Sequence, residues 1–88
     1  RKSVRFDFFR REIQIVAHNQ LNGSRVLKSH PFDKVTGAFV VRSTVPGKGA
    51  KLLLRIGFRH EFLEVARGTE TEMEYLHHRL SEDLPSHI

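Results

Sequence analysis

The chain has 88 residues, 39% of them hydrophobic and 28% charged, with a formal net charge of +5 and no cysteine. Such a chain can bury one modest core, and its composition argues against wholesale disorder. The missing cysteines exclude a disulfide framework and a thiolate zinc site, and no apolar run approaches the ~20 residues of a membrane helix.

The net charge hides an asymmetry. Residues 1–60 carry a balance of +10 and residues 61–88 one of −5. This predicts a basic surface on the first part and an acidic second part. The simpler alternative is a scatter of solubilising charges. The chain starts with Arg1 rather than Met, so it reads as a piece of something longer.

Val4, Phe6 and Phe8 alternate with Arg5 and Asp7, which predicts a first strand over about 3–9. Arg10 and Arg11 fall where the chain must turn. Ile13 and Ile15 then alternate with Glu12 and Gln14, giving a second strand over about 12–19. This stretch reads as a hairpin with a basic tip, or as one long bent strand, since no Gly, Asn or Pro marks the turn. Leu21-Asn22-Gly23-Ser24 is the clearest turn, because Asn-Gly tolerates the positive φ of a two-residue hairpin. A third strand follows over about 25–30. Pro31 ends it, and Pro31–Thr36 reads as a tight turn or a single helical turn with Phe32 and Val35 tucked inward.

Ala38–Thr44 is apolar and β-branched, hence a fourth strand. Val45–Ala50 holds one Pro and two Gly and reads as a flexible loop. Lys51–Phe62 organises the rest: Leu52, Leu54 and Ile56 alternate with Leu53 and Arg55, as in a strand covered on both sides. Gly57 supplies a turn, and Glu61–Ala66 returns as a sixth strand. Thr69-Glu70-Thr71-Glu72 has the spacing of a capping box, and Glu70, Glu72 and Glu74 complement a helix dipole. Met73, Leu76, Leu80 and Leu84 form one apolar stripe, which predicts a helix over about 69–84 ended by Pro85. Leu84–Ile88 and the first two residues are expected to fray.

The loop Pro46-Gly47-Lys48-Gly49-Ala50-Lys51 resembles a phosphate loop only superficially, because it leads into a strand rather than a helix. The histidines lack metal-site spacing. His77 and His78 point about a hundred degrees apart on a helix, and His30 and His60 read as turn residues. The serines lack a nucleophile-elbow context, and the carboxylates cluster on the solvated helix. The expectation is a protein that is not an enzyme and takes no cofactor. Arg5, Arg10, Arg11, Arg25, Lys28, Arg42, Lys51, Arg55 and Arg59 would attract polyanions if they gathered on one face. Most phenylalanines fall on the apolar phase of strands, so no exposed-aromatic code for single-stranded nucleic acid is expected.

Six strands in meander order followed by one helix resemble the pleckstrin-homology-like (PH-like) architecture. The pieces Asp7-Phe8-Phe9-Arg10-Arg11-Glu12-Ile13-Gln14-Ile15, Pro31-Phe32-Asp33-Lys34-Val35, Leu52-Leu53-Leu54 and Glu70–Leu80 are similar to the text of soluble domains attached to membrane helices in bacterial envelope proteins. The resemblance implies a mainly β fold: a small antiparallel sheet or partly open barrel of about six strands, capped by a C-terminal helix, in one domain spanning 1–88. It also implies a non-catalytic module of a membrane-associated bacterial protein, placed in the cytoplasm at the inner face of the membrane. Its partners would be a protein segment or anionic lipid headgroups. Nucleic acid and a second copy of the chain are the alternatives. The family's phosphoinositide signature does not occur in that form, since Lys48, Lys51 and Arg55 are spaced differently. The residues expected to meet an anionic partner are Arg10, Arg11, Arg25, Lys28, Lys48, Lys51 and Arg55.

Overall fold

A computed structural model describes residues 1–21 and 23–84. Asn22 of the expected turn, Pro85 and the rest of the expected frayed end lie outside the described residues. At the described positions expected to fray, the Arg1 carbonyl accepts from His18 N at 2.7 Å, Lys2 opens the first strand and Leu84 is buried. The fold is mainly β with one C-terminal helix. The six strands form two three-stranded antiparallel sheets, in the orders β1-β2-β3 and β4-β5-β6, that are not closed into a barrel. Here β1 is Lys2–Asp7, β2 Glu12–Asn19, β3 Gly23–Pro31, β4 Val35–Arg42, β5 Ala50–Ile56 and β6 Glu61–Gly68. The helix α1 is Glu70–Asp83. The chain divides into two compact units, residues 1–32 and 33–88.

In the first unit the step between β1 and β2 is a hairpin, and its turn needs no glycine. Asp7 Oδ1 accepts from the backbone N–H of Phe9 at 3.1 Å and of Arg10 at 2.9 Å. A short acidic side chain thereby closes the turn, as Asp does in Asx turns. Strand β1 therefore ends at Asp7, two residues before the expected end. Arg11 completes the tip in the left-handed region, at φ 55°. Its carbonyl accepts from Phe32 N at 2.9 Å, and its guanidinium lies 5.7 Å from the centre of the Phe32 ring. Phe8 meets the same ring edge-on, with centroids 5.4 Å apart. Gln14 is buried, and its polar atoms are satisfied: Arg5 donates to Oε1, and Nε2 donates to Glu12 at 2.7 Å. Satisfied polar groups such as these avoid the desolvation cost of burial. His30, expected in a turn, lies in β3 opposite Ile13 and is buried.

A single 3-10 turn, Phe32–Lys34, fills the PFDKVT stretch, and Phe32 and Val35 are both buried as expected. Strand β4 starts at Val35, three residues before the expected start, because Val35 already pairs with Ile56. Strand β5 is the central strand of the second sheet. Its Ala50, Leu52, Leu54 and Ile56 are buried, while Lys51, Leu53 and Arg55 alternate on the other face.

The helix lies on the leucine face. Met73 Cε sits over Gly68, which pairs with Ala50, and Ala50 shares its face with Leu52 and Leu54. Met73, Leu80 and Leu84 are buried, and His77 Nε2–H donates to the Ala38 carbonyl at 3.0 Å. The expected apolar stripe thus covers one face of the second sheet, and His77 joins it rather than standing in solvent. His78 pairs with Glu82 at 2.8 Å. Among the described residues no group of three potential ligands could hold a metal ion. No described helix is long and apolar enough to cross a membrane.

The capping box is present in full. Glu72 N donates to Thr69 Oγ1 at 3.1 Å, and Thr69 N donates to Glu72 Oε1 at 2.9 Å. The Thr69 backbone N–H, and after it the Thr69 side chain, holds the Glu72 carboxyl below the usual carboxylate range. A lowered folded-state pKa means that the cap's contribution is complete above the ordinary carboxylate value and is lost as pH falls through the lowered one. Replacing Thr69 with alanine is expected to cost about 1 kcal/mol in a thermal melt near neutral pH, with a smaller deficit in acid.

Candidate anionic-surface site

The second sheet has a face that the helix does not cover. Strand pairing places its side chains: Phe39 stands opposite Leu53, Val41 opposite Lys51, Phe62 opposite Arg55 and Arg67 opposite Lys51. Residues directly opposite each other share a face. The open face therefore carries Phe39, Val41, Leu53 and Phe62 among Lys51, Arg55, Arg67 and the carboxylate of Glu64, which stands opposite Leu53. Phe39 is 41% exposed and Phe62 48%. Their rings meet edge-on with centroids 6.2 Å apart.

Arg55 is the fixed point of this face. Its Nε donates to Thr36 Oγ1 at 2.9 Å and its Nη2 to the Thr36 carbonyl at 3.1 Å. Thr36 sits at the register shift between Val35 and Gly37, and its hydroxyl donates to the Gly57 carbonyl. With its head held there, Arg55 lies 5.8 Å from the centre of the Phe39 ring. Phe39 in turn leans back over Gly37, where a Cβ would come within 2.9 Å of the ring. A cation over an aromatic face contributes about 0.5–1 kcal/mol at an exposed site. The result is a preset aromatic–cation pair.

One end of the open face runs into a cleft of about 500 Å³ between β4, β5, β6 and their loop, and Arg42, Lys48, Lys51 and Arg67 line it. Lys51 and Arg67 are direct cross-strand partners, an arrangement of like charges that destabilises a sheet. Two carboxylates answer the four cations: Glu70 pairs with Arg42, and Glu64 with Arg67, each at 2.8 Å. Among the described residues neither Lys48 nor Lys51 has an acidic partner. The loop is held in place by Ser43 N donating to the Gly49 carbonyl at 3.0 Å and Lys48 N to the Val45 carbonyl at 3.2 Å.

Gly49 is required by the close approach of this loop to β6. Its φ is +76°, and an added Cβ would collide with the Gly68 carbonyl oxygen. Gly47, at φ +81°, has open space around it. Gly47→Ala is expected to cost about 1 kcal/mol, the ordinary penalty of a left-handed residue. Gly49→Ala should lower the melting temperature further, because it must also push the loop off β6. Paired thermal melts check the order.

The helix α1 exposes Glu70, Glu72, Glu74, Glu82 and Asp83, with Arg79 its only Lys or Arg; Glu70 reaches Arg42, and Glu72 lines a groove with Lys48 and Arg67. The acidic second part of the sequence is thus mainly α1, while the basic residues of the first part are divided between the two units.

Of the residues expected to meet an anion, Lys48 and Lys51 line the cleft, and Arg55 shares the open face with Lys51. The other four belong to the first unit. Arg10 and Arg11 stand together at the β1–β2 tip, with Arg11 engaged on Phe32. Arg25 and Lys28 lie on β3, opposite Ala17 and Ile15. Sequence reasoning missed the place of Arg67, which becomes visible only through its register with Lys51. It also missed the aromatics. The expectation that most phenylalanines lie on the apolar phase is overturned: Phe32 is buried, but Phe8, Phe39 and Phe62 are about half exposed. Phe9 and Phe58 are 95% and 92% exposed at hairpin tips. Gly37, two residues before Phe39, was the available signal, since a large ring beside a strand glycine tends to cover it. Comparison with known proteins returned no matching family model, no matching curated protein and no matching solved structure.

Proposed function

We propose that this chain is a non-catalytic interaction module, PH-like in kind, that meets an anionic membrane surface as part of a membrane-associated protein. The observation that supports it is the polarity of the second unit, an open basic and aromatic sheet face backed by an acidic helix. The face and its cleft hold five cations, Arg42, Lys48, Lys51, Arg55 and Arg67, against Glu64 and Glu70. A net three charges near an anionic surface, at about 1 kcal/mol each, supply roughly 100-fold in affinity. Phe39 and Phe62 add apolar area that can settle at the headgroup level, where aromatic rings are favoured. The acidic helix orients the unit, because it is repelled by the same surface. The cytoplasmic leaflet, which carries the anionic lipids, is the one that fits.

Co-sedimentation with vesicles tests this reading. Binding to anionic vesicles that weakens with salt, with no binding to neutral ones, is expected. Equal binding to both, or none to either, would remove it. A second reading is favoured by the aromatic pair beside cations on a sheet face, since single-stranded nucleic acid stacks on such platforms. One flank of Phe39 is already occupied by Arg55, which ranks this reading second. A mobility-shift titration with single-stranded oligonucleotide at low salt decides it: no retardation ends it.

A further inference from the structure

Strand β4 is an outer strand of the second sheet, paired on one side with β5. Its register fixes which backbone groups are left over. Ser43 N donates to the Gly49 carbonyl at 3.0 Å, in the same register that joins Arg42 to Ala50 and Gly37 to Arg55. Hydrogen-bonded pairs alternate along an antiparallel ladder, so Gly37, Phe39 and Val41 bond to β5, while Ala38, Val40 and Arg42 turn their N–H and C=O groups outward. The His77 bond to the Ala38 carbonyl agrees with this. Among the described residues the outward groups of Val40 and Arg42 have no such cover. Proteins usually blunt an edge of this kind with charges, proline or a bulge. The other outer strand, β6, has Glu61, Glu64 and Arg67, and an unpaired Val65 at its register shift. Strand β4 runs regularly from Gly37 to Val41 without charge or proline.

We infer that β4 pairs antiparallel with β4 of a second copy of this chain. The outward residues Ala38, Val40 and Arg42 are symmetric about Val40. A two-fold axis there sets Val40 against the partner's Val40, and Ala38 against the partner's Arg42. The outward N–H and C=O groups then satisfy one another, and the Ala38 carbonyl, with two lone pairs, keeps His77 as well. The same axis sets Phe39 against the partner's Val41 on the open face, which covers part of two exposed apolar side chains. Arg42 is the one charge of β4; it meets alanine rather than a like charge, and its side chain stays with Glu70. This self-complementarity favours a second copy over an unrelated strand. An isologous contact closes at two copies. It joins two three-stranded sheets into one of six, with both helices on one side and both open faces on the other. Pairing of β4 does not require the anionic surface proposed above.

A single strand seam is small beside a standard interface of about 1,600 Å², so association is weak and concentration reveals it. Light scattering and amide hydrogen exchange are followed as protein concentration is raised, in high salt, which screens the repulsion between two copies of net charge +5. The mass is expected to rise from one copy towards two. The Val40 amide is expected to exchange about tenfold more slowly at the highest concentration, while that of Phe62 on β6 keeps its rate. Two variants should stay monomeric throughout. Val40→Pro removes an outward N–H that β5 does not use. Val41→Glu puts a charge on the seam but keeps its own sheet, since Lys51 stands opposite. Should Val40→Pro fail to fold, Val41→Glu decides. A monomer at every concentration, with a freely exchanging Val40 amide, overturns the inference and leaves this edge to a strand from another protein. A dimer in which Val40 exchanges at the monomer's rate, or one that survives Val41→Glu, overturns it as well, because another surface then joins the copies. None of these results bears on vesicle binding by the single chain, and a failure to bind vesicles leaves the dimer untouched.

Discussion

Replacing Leu52 with alanine is expected to remove a large share of the stability of this protein. Leu52 is fully buried on the central strand of the second sheet, on the face that α1 covers. Deleting three buried carbons there costs the lost transfer free energy and leaves a cavity, together about 2–5 kcal/mol. A domain of this size has roughly 5–10 kcal/mol in total, so the loss is a substantial fraction. The melting temperature should fall by about 10 °C or more, since 1 kcal/mol corresponds to about 4–8 °C in a domain this small. Phe58→Ala is the control. Phe58 is almost fully exposed at the β5–β6 turn, and its removal should change stability by no more than about 0.5 kcal/mol. Both are read by circular dichroism melts. If Leu52→Ala melts like the parent, helix and leucine face are not packed as described.

The second large effect is on binding, and it runs against stability. Lys51→Glu turns the like-charged pair with Arg67 into an attractive one. Opposite charges directly across an antiparallel pair contribute about 0.2–1 kcal/mol. The variant should therefore melt at or slightly above the parent temperature. The same change removes two units of positive charge from the open face, about 2 kcal/mol of attraction to an anionic surface, or roughly 30-fold in affinity. A variant that is as stable as the parent but binds anionic vesicles much more weakly separates function from folding. Unchanged binding would show that Lys51 faces no membrane. Both the melt and the vesicle titration can be made on one preparation.

Much of the fold was legible because its signals are local. The alternation of Leu52, Leu54 and Ile56, the turn residues around Gly23 and Gly57, and the Thr69–Glu72 capping box each specify one element without help from distant residues. Boundaries slipped where a side chain or a partner decided them. Asp7 ends β1 by bonding the turn with its carboxylate, and Val35 joins β4 because Ile56 pairs with it. The candidate site was less legible. In β4, Ala38-Phe39-Val40-Val41 is apolar on both phases, so period alone does not say which face meets the helix. Ala38 and Val40 share the leucine face with Leu54 and Leu52, which leaves Phe39 and Val41 on the open one. Arg67 and Lys51 come together across a register that includes a shift between Leu52 and Leu53, which no count along the chain anticipates. The exposed Phe9 and Phe58 each occupy a turn rather than a strand, so strand alternation says nothing of where they point.

The open sheet face, rather than the helix, is the side of the second unit proposed to meet an anionic membrane. The chain has no tryptophan, so a single one introduced at a chosen place is a clean optical reporter. Phe62→Trp puts it on the open sheet face, and Tyr75→Trp puts it on the exposed side of the helix. With anionic vesicles containing brominated lipid, the emission of Phe62→Trp should shift to the blue and be quenched, while that of Tyr75→Trp should stay where it is in buffer. Quenching of the helix reporter with a silent sheet reporter would contradict the proposed orientation, and silence from both would contradict the membrane contact itself.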